Sequence, residues 1–182
     1  MLLKSNSVIR HSLTKGMVLA ASLFCSSAFA DPQIFGMELG KTTEDQLKAL
    51  YNVQHTGVNK YSSGNMYSVP ISAIQFDGLK DVTTIFDSSG ILVAVLTDFP
   101  KSKFDYLNRA IGAKYKQVSQ NIPFVGNKSV IYRDGMTEIT LDAPHMSFTM
   151  EMNYIRDDFM KTYNQKSQAE QRQKQQNESL QL

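Results

Sequence analysis

Asp81-Val-Thr-Thr-Ile-Phe-Asp-Ser-Ser-Gly-Ile-Leu-Val-Ala-Val-Leu-Thr-Asp-Phe99 is the stretch that decides the fold. Two runs of β-branched and apolar residues flank Asp87-Ser88-Ser89-Gly90, and Gly90 can take the positive φ that a tight reversal needs. The pattern predicts an antiparallel hairpin. Its second arm, Ile91 to Leu96, is apolar on both faces, so it belongs in the middle of a sheet with cover on at least one side.

Working outward, Lys41 to Asn52 predicts a short helix. Thr43 and Gln46 have capping-box spacing, Glu44 and Asp45 place negative charge at the positive end of the helix dipole, and Leu47, Leu50 and Tyr51 share one face. Residues 53–70 are strand-like but irregular, and Ala73 to Phe76 returns to a strand pattern. After the hairpin, Ser102 is the expected N-cap of a second helix with Asp105 at N3. Phe104, Leu107, Ile111 and Tyr115 then form an apolar stripe that Gly112 weakens. Three strands follow, at 129–133, 136–142 and 146–154. In the last, Met146, Phe148, Met150, Met152 and Tyr154 alternate with polar residues and read as one core-facing row.

The expected architecture is therefore α+β: two helix-plus-three-strand antiparallel units in tandem, at about 34–99 and 100–154. A C-terminal helix runs from 155, with Phe159 and Tyr163 on the face of Ile155. Residues 31–163 form a single domain, and the polar, Gln-rich tail 164–182 has a composition that allows disorder or a frayed helix.

Residues 1–30 read as a signal peptide. Lys4, Arg10 and Lys15 precede an apolar run from Met17 to Phe24, and Ala28-Phe29-Ala30 is an A-x-A site, so cleavage is expected between Ala30 and Asp31. The apolar run is too short to span a bilayer, and the mature chain is expected in the periplasm or secreted, without a transmembrane helix. The one cysteine, Cys25, lies inside this leader after the bulky Phe24, which argues against a lipoprotein. The mature chain would then hold no disulfide, no thiolate metal site and no cysteine nucleophile. The leader carries three of the 19 basic residues and none of the 17 acidic ones, leaving sixteen against seventeen. That balance, with no basic run in the folded part, gives no expectation of nucleic acid binding.

The leading half carries a resemblance. Leu39-Gly40-Lys41-Thr42-Thr43 entering a short helix, and Thr84-Ile85-Phe86-Asp87-Ser88-Ser89-Gly90-Ile91-Leu92 as strand, turn and strand, resemble the helix-plus-meander domain of the BamE (SmpA/OmlA) outer-membrane lipoproteins. Two such units in tandem are similar in outline to the β-lactamase inhibitor protein, whose family grips another protein with a concave sheet. The chain departs from the first family in its second unit and in having no lipidation cysteine, and from the second in having no cysteine pair. No functional residue is carried over.

Few residues suggest chemistry. His55 and His145 stand apart and belong to no H-E-x-x-H or H-x-H pattern, and no G-x-S-x-G elbow, Walker loop or dinucleotide fingerprint is present. Asp157 and Asp158 read as a charged first helical turn, and Asp134 and Asp142 as turn residues. Met146, Met150 and Met152 could offer thioethers to copper(I) if exposed, but period two on a strand favours a core row. No catalytic, cofactor or metal residue is assigned. The best recognition signal is the polar stretch Asn59 to Ser68, where Tyr61, Asn65 and Tyr67 have the composition of adaptable binding loops. Its counterpart is Asn121 to Asn127, with Phe124 as an exposed anchor. These features predict a non-enzymatic protein that binds another envelope or secreted protein, with a small-ligand or metal carrier as the alternative.

Overall fold

A computed structural model describes residues 31–181. The leader expected at 1–30 lies outside the described residues. The described residues are mixed α and β, with three helices and a mostly antiparallel sheet. A two-stranded hairpin, β1 (Gln33–Ile34) and β2 (Met37–Glu38), precedes α1 (Glu44–Leu50) and the strands β3 (Gln54–Val58), β4 (Ser63–Ser68), β5 (Asp81–Asp87) and β6 (Leu92–Pro100). Then α2 (Phe104–Gly112) precedes β7 (Lys116–Asn121), β8 (Lys128–Asp134), β9 (Thr137–Ala143) and β10 (Thr149–Arg156), and α3 (Asp157–Ser179) closes the chain.

Strands β3 to β10 form one eight-stranded sheet in the order β3-β4-β5-β6-β10-β9-β8-β7. Helices α1 and α2 are thus each followed by four strands rather than three. The strand missed in the second half is β7, Lys116-Gln-Val-Ser-Gln-Asn, an edge strand exposed at every position and so without any apolar alternation to betray it. No strand forms at 73–76, where a 3-10 turn at Ile71–Ala73 precedes an irregular stretch.

The hairpin at 81–99 folds as its sequence predicts. The β5 and β6 pairs run from Asp81↔Asp98 to Phe86↔Leu92, Gly90 takes φ +74°, and the Asp87 carboxylate accepts the backbone N–H groups of Ser89 and Ile91. Its second arm then pairs with the last strand of the other half, Thr149↔Pro100 through Ile155↔Ala94. The Thr97 hydroxyl donates to the Met152 carbonyl oxygen at 2.5 Å across this central seam.

One face of the sheet carries the main core. Val82, Phe86, Leu92, Val95 and Phe99 from the first half meet Val130, Tyr132, Ile139, Leu141, Met150, Met152 and Tyr154 from the second, under Leu47 of α1 and Phe104, Leu107 and Ile111 of α2. Full burial of one such side chain contributes about 1.5–3 kcal/mol. Helix α1 starts with the expected capping box, Thr43 hydroxyl to the Gln46 N–H and Gln46 amide oxygen to the Thr43 N–H. In contrast, α2 has no side-chain cap. A 3-10 turn at Lys101–Lys103 absorbs Ser102 and moves the helix start to Phe104.

The opposite face is covered at one end only. Helix α3 crosses it over Ile85, Val93, Ala94, Leu96 and Ile155, with Phe159 against them. Tyr163 meets Tyr61 edge-on at 4.7 Å, the Lys166 ammonium donates to the carbonyl oxygens of Lys60 (3.1 Å) and Tyr61 (2.9 Å), and Lys60 pairs with Glu170 at 2.9 Å. Ile155, expected in this helix, belongs to β10 instead, and the polar stretch after Asn164 is helical as far as Ser179. No residue of α3 is fully buried. Among the described residues, no helix is long and apolar enough to cross a membrane.

Gly64 marks a point where strands approach too closely for a side chain. A Cβ there would press into the backbone carbonyl oxygens of Phe86 and Asp87. We therefore expect Gly64→Ala to lower the stability by about 2 kcal/mol, read as a shift of the urea midpoint, because only separating β4 from β5 relieves the clash. An unchanged midpoint would contradict this packing.

Candidate functional site

The four residues with the recognition signal separate into two groups. Asn65 and Tyr67 do not belong to an exposed loop, because residues 63–68 are strand β4, whereas Tyr61 lies in the turn before it. Tyr67 is buried on the helix-covered face, and its hydroxyl donates to Glu44 Oε2 at 2.5 Å. Asn65 donates its amide to the same carboxylate at 3.0 Å, and its Oδ1 lies 3.1 Å from His55 Nε2. Tyr61 is half-buried beneath α3. Burial raises the Glu44 carboxyl, but the bonds from Tyr67 and Asn65 and the nearby Lys48 outweigh it and hold the group below its ordinary value. This network clamps α1 onto the sheet. His55 makes no direct bond to Glu44, touching it through Asn65 and the edge-on ring of Tyr67, and His145, exposed in its turn, faces no carboxylate in the hydrogen bonds and ion pairs of the described residues.

Phe124 behaves differently: it is fully exposed. Other large apolar side chains at this end are exposed too, less completely for Ile122 and Val125. Ile122 and Val125 on the β7–β8 loop, and Met146 and Phe148 on the β9–β10 loop, all project into solvent, with Phe148 at 93% exposure and Met146 at 90%. Sequence alternation assigns Met146 and Phe148 to the core row, but β10 begins only at Thr149 and the turn after Pro144 takes both out of the pleat. The methionine row is divided accordingly: Met150 and Met152 are buried and Met146 is not. That separation divides the thioether cluster a copper site would need, and among the described residues no three or more His, Cys, Asp or Glu side chains are grouped so as to hold a metal ion.

The two apolar loops are fixed to each other. The His145 N–H donates to Asn127 Oδ1 at 2.8 Å, the Lys101 ammonium caps the carbonyl oxygens of Pro144 and His145 (3.0 Å to the latter), and the Lys101 N–H donates to the Phe148 carbonyl at 2.9 Å. Loops anchored in this way keep their large apolar side chains in place at no further ordering cost.

Beside these loops, the open sheet face carries a row of acids. Asp81 lies opposite Asp98, Asp98 opposite Glu151, and Glu151 opposite Asp142, so four carboxylates stand in one line across β5, β6, β10 and β9. None of the four takes part in an ion pair among the described residues. Their side-chain partners are neutral, Thr83 to Asp81 at 3.2 Å and Asn153 to Glu151 at 3.1 Å. Partial burial and the facing Glu151 and Asp81 raise the Asp98 carboxyl, with Lys80 opposing, and burial and Glu151 raise that of Asp142. Asp142 is thus a strand residue on this face and not a turn residue. Sequence reading cannot find the row, because it exists only once four strands are in register.

No protein-family model, curated protein or solved structure matches the chain. The site therefore has to be read from its own chemistry.

Like charges directly opposite each other oppose strand pairing. Neutralising Asp98 as Asp98→Asn should raise the stability by a few tenths of a kcal/mol, about 0.5 at most after solvent screening. Because the folded state holds the Asp98 and Asp142 protons to higher pH than the unfolded chain does, stability should rise as pH falls from neutral towards the ordinary carboxylate value. The difference between the variant and the natural chain should shrink over the same window, as seen in paired urea titrations. A variant less stable than the natural chain at neutral pH would rule out this repulsion.

Proposed function

We propose that the chain is a non-enzymatic periplasmic protein, freed of its leader between Ala30 and Asp31, that binds another envelope or secreted protein. The observation that carries this reading is the pair of anchored loops that hold Ile122, Phe124, Val125, Met146 and Phe148 in solvent at one end of the sheet. An exposed apolar cluster on a fixed scaffold marks an interaction site far more often than it marks idle surface. The placement of Asp31 supports the expected cleavage point. This residue accepts the Met136 N–H at 3.0 Å and pairs with Arg156, so a chain that starts at Asp31 keeps both contacts. The likeness of the first helix and hairpin to the SmpA/OmlA lipoproteins, and of the tandem plan to the β-lactamase inhibitor protein, supports a binding rather than a catalytic role.

A second reading, a small-ligand carrier, is favoured by one feature. A cleft of about 270 Å³ between β1 and α2 is lined by Phe35, Phe76, Tyr106, Tyr115 and Tyr154, with Lys114 at its rim.

The two readings separate in one comparison. The protein and its Phe124→Ala/Phe148→Ala variant are cross-linked in living cells, and the captured proteins are identified by mass spectrometry. The binding reading expects one dominant partner whose affinity for the purified variant falls about ten- to thirty-fold, the loss associated with removing central anchors. Equal binding by the variant would overturn the assignment of these loops. A small molecule retained by both proteins in native mass spectrometry, with no protein partner, would favour the carrier.

A further inference from the structure

The surface beside the apolar loops constrains what can sit there. Asp142 lies one residue before the end of β9 and Glu151 two residues into β10, so the carboxylate row passes directly beneath the loop that carries Met146 and Phe148. Strands in a sheet are about 4.8 Å apart, which puts the four acids along a line of roughly 14 Å. The nearest lysines do not neutralise it. Lys101 is committed to the carbonyl groups of Pro144 and His145, Lys128 lies over the Phe104 ring at 5.3 Å, and only Lys80 stands near Asp98. The acids therefore lie beside the β9–β10 loop, and apart from the nearby Lys80 no ion pair among the described residues offsets their charge.

The same face shows what shape it accepts. Helix α3 already lies across β10, β6 and β5 at the other end, over Ile85, Ala94 and Ile155. Those residues are four positions along their strands from Asp81, Asp98 and Glu151, a separation of roughly 13 Å. Helices pack 8–10 Å apart, so there is room for a second helix beside α3 and over the row. Side chains three and four residues apart on a helix are about 5–6 Å from one another, close to the spacing of the acids.

The geometry points to a cationic protein as the partner: one that lays a helix with lysine or arginine at three- and four-residue spacing over Asp81, Asp98, Glu151 and Asp142, and receives Phe124 and Phe148 at its edge. This rests on the reading of the loop end as a protein-binding site and names the partner's chemistry. Anionic lipid headgroups and nucleic acid phosphates would meet the carboxylates with like charge, so neither fits the surface.

The test uses the full chain with a photoreactive benzoylphenylalanine in place of Phe124, cross-linked in the cell. The captured segment is sequenced, and the captured protein is purified to measure its association rate with the natural chain and with the D98N/E151Q/D142N variant. Thermal melting checks that the variant folds. We expect a captured segment with basic residues at three- and four-residue spacing. We also expect an association rate that falls about ten- to hundred-fold in the variant, and comparably for the natural chain on adding salt. An unchanged association rate, or a captured segment without that basic pattern, would overturn the inference while leaving the protein-binding reading intact. Cross-links to phospholipid, or to no protein at all, would overturn both.

Discussion

The pairing of β6 with β10 is the constraint on which the rest of the molecule depends. Each half alone is one short helix over a four-stranded meander, with an inner strand that would present a row of free backbone groups. Joining the last strand of one half to the last strand of the other removes both inner edges and merges two half-cores into one. Phe99 and Val95 on β6 then share an interior with Met150, Met152 and Tyr154 on β10. A core built from either half would bury a smaller fraction of its surface, and with no cysteine in the folded part no disulfide could make up the difference. The seam also joins Asp98 of the first half to Glu151 of the second. The acidic row is thus a property of the assembled sheet and of neither half.

The two faces of the sheet divide the work between them. The face under α1 and α2 is closed, apolar and held by buried hydrogen bonds such as Thr84 hydroxyl to the Tyr67 carbonyl oxygen. The other face is apolar chiefly where α3 lies and mostly polar elsewhere, with Ile131 of β8 an exception. Helix α3 has no fully buried residue, and its outer contacts, Lys60 with Glu170 and Lys166 with the 60–61 backbone, are surface interactions of small individual worth. Local opening should concentrate there while the helix-covered face keeps the fold intact.

What could be read from sequence follows from how local each signal is. The 81–99 hairpin and the Thr43–Gln46 capping box depend on residues within a few positions of one another, and both form as their patterns require. Strand β7 has no apolar face to display, so its composition carries no period. Tyr67 sits among Gly, Asn and Ser and reads as a loop residue, yet pairing with β5 turns it inward onto Glu44. Met146 and Phe148 continue the alternation of Met150 and Met152 in the sequence, but the chain has left the sheet by then, and periodicity cannot say where a strand begins. The carboxylate row needs the registers of three strand pairs at once, which no single window of sequence contains.

The register shifts at the two sheet edges have a consequence for the chain's behaviour at high concentration. An eight-stranded open sheet offers two free edges, β3 and β7, and a flat edge is a template for end-on growth into fibres. Both edges are interrupted. Strand β3 slips between His55 and Gly57, β7 slips between Gln117 and Ser119, and the latter begins with the charge of Lys116. A bulge twists the strand and takes its hydrogen-bonding groups out of line, which disfavours in-register addition of a second copy. Both edges are thereby poor templates for a second copy, and crowding alone does not readily extend the sheet into a polymer.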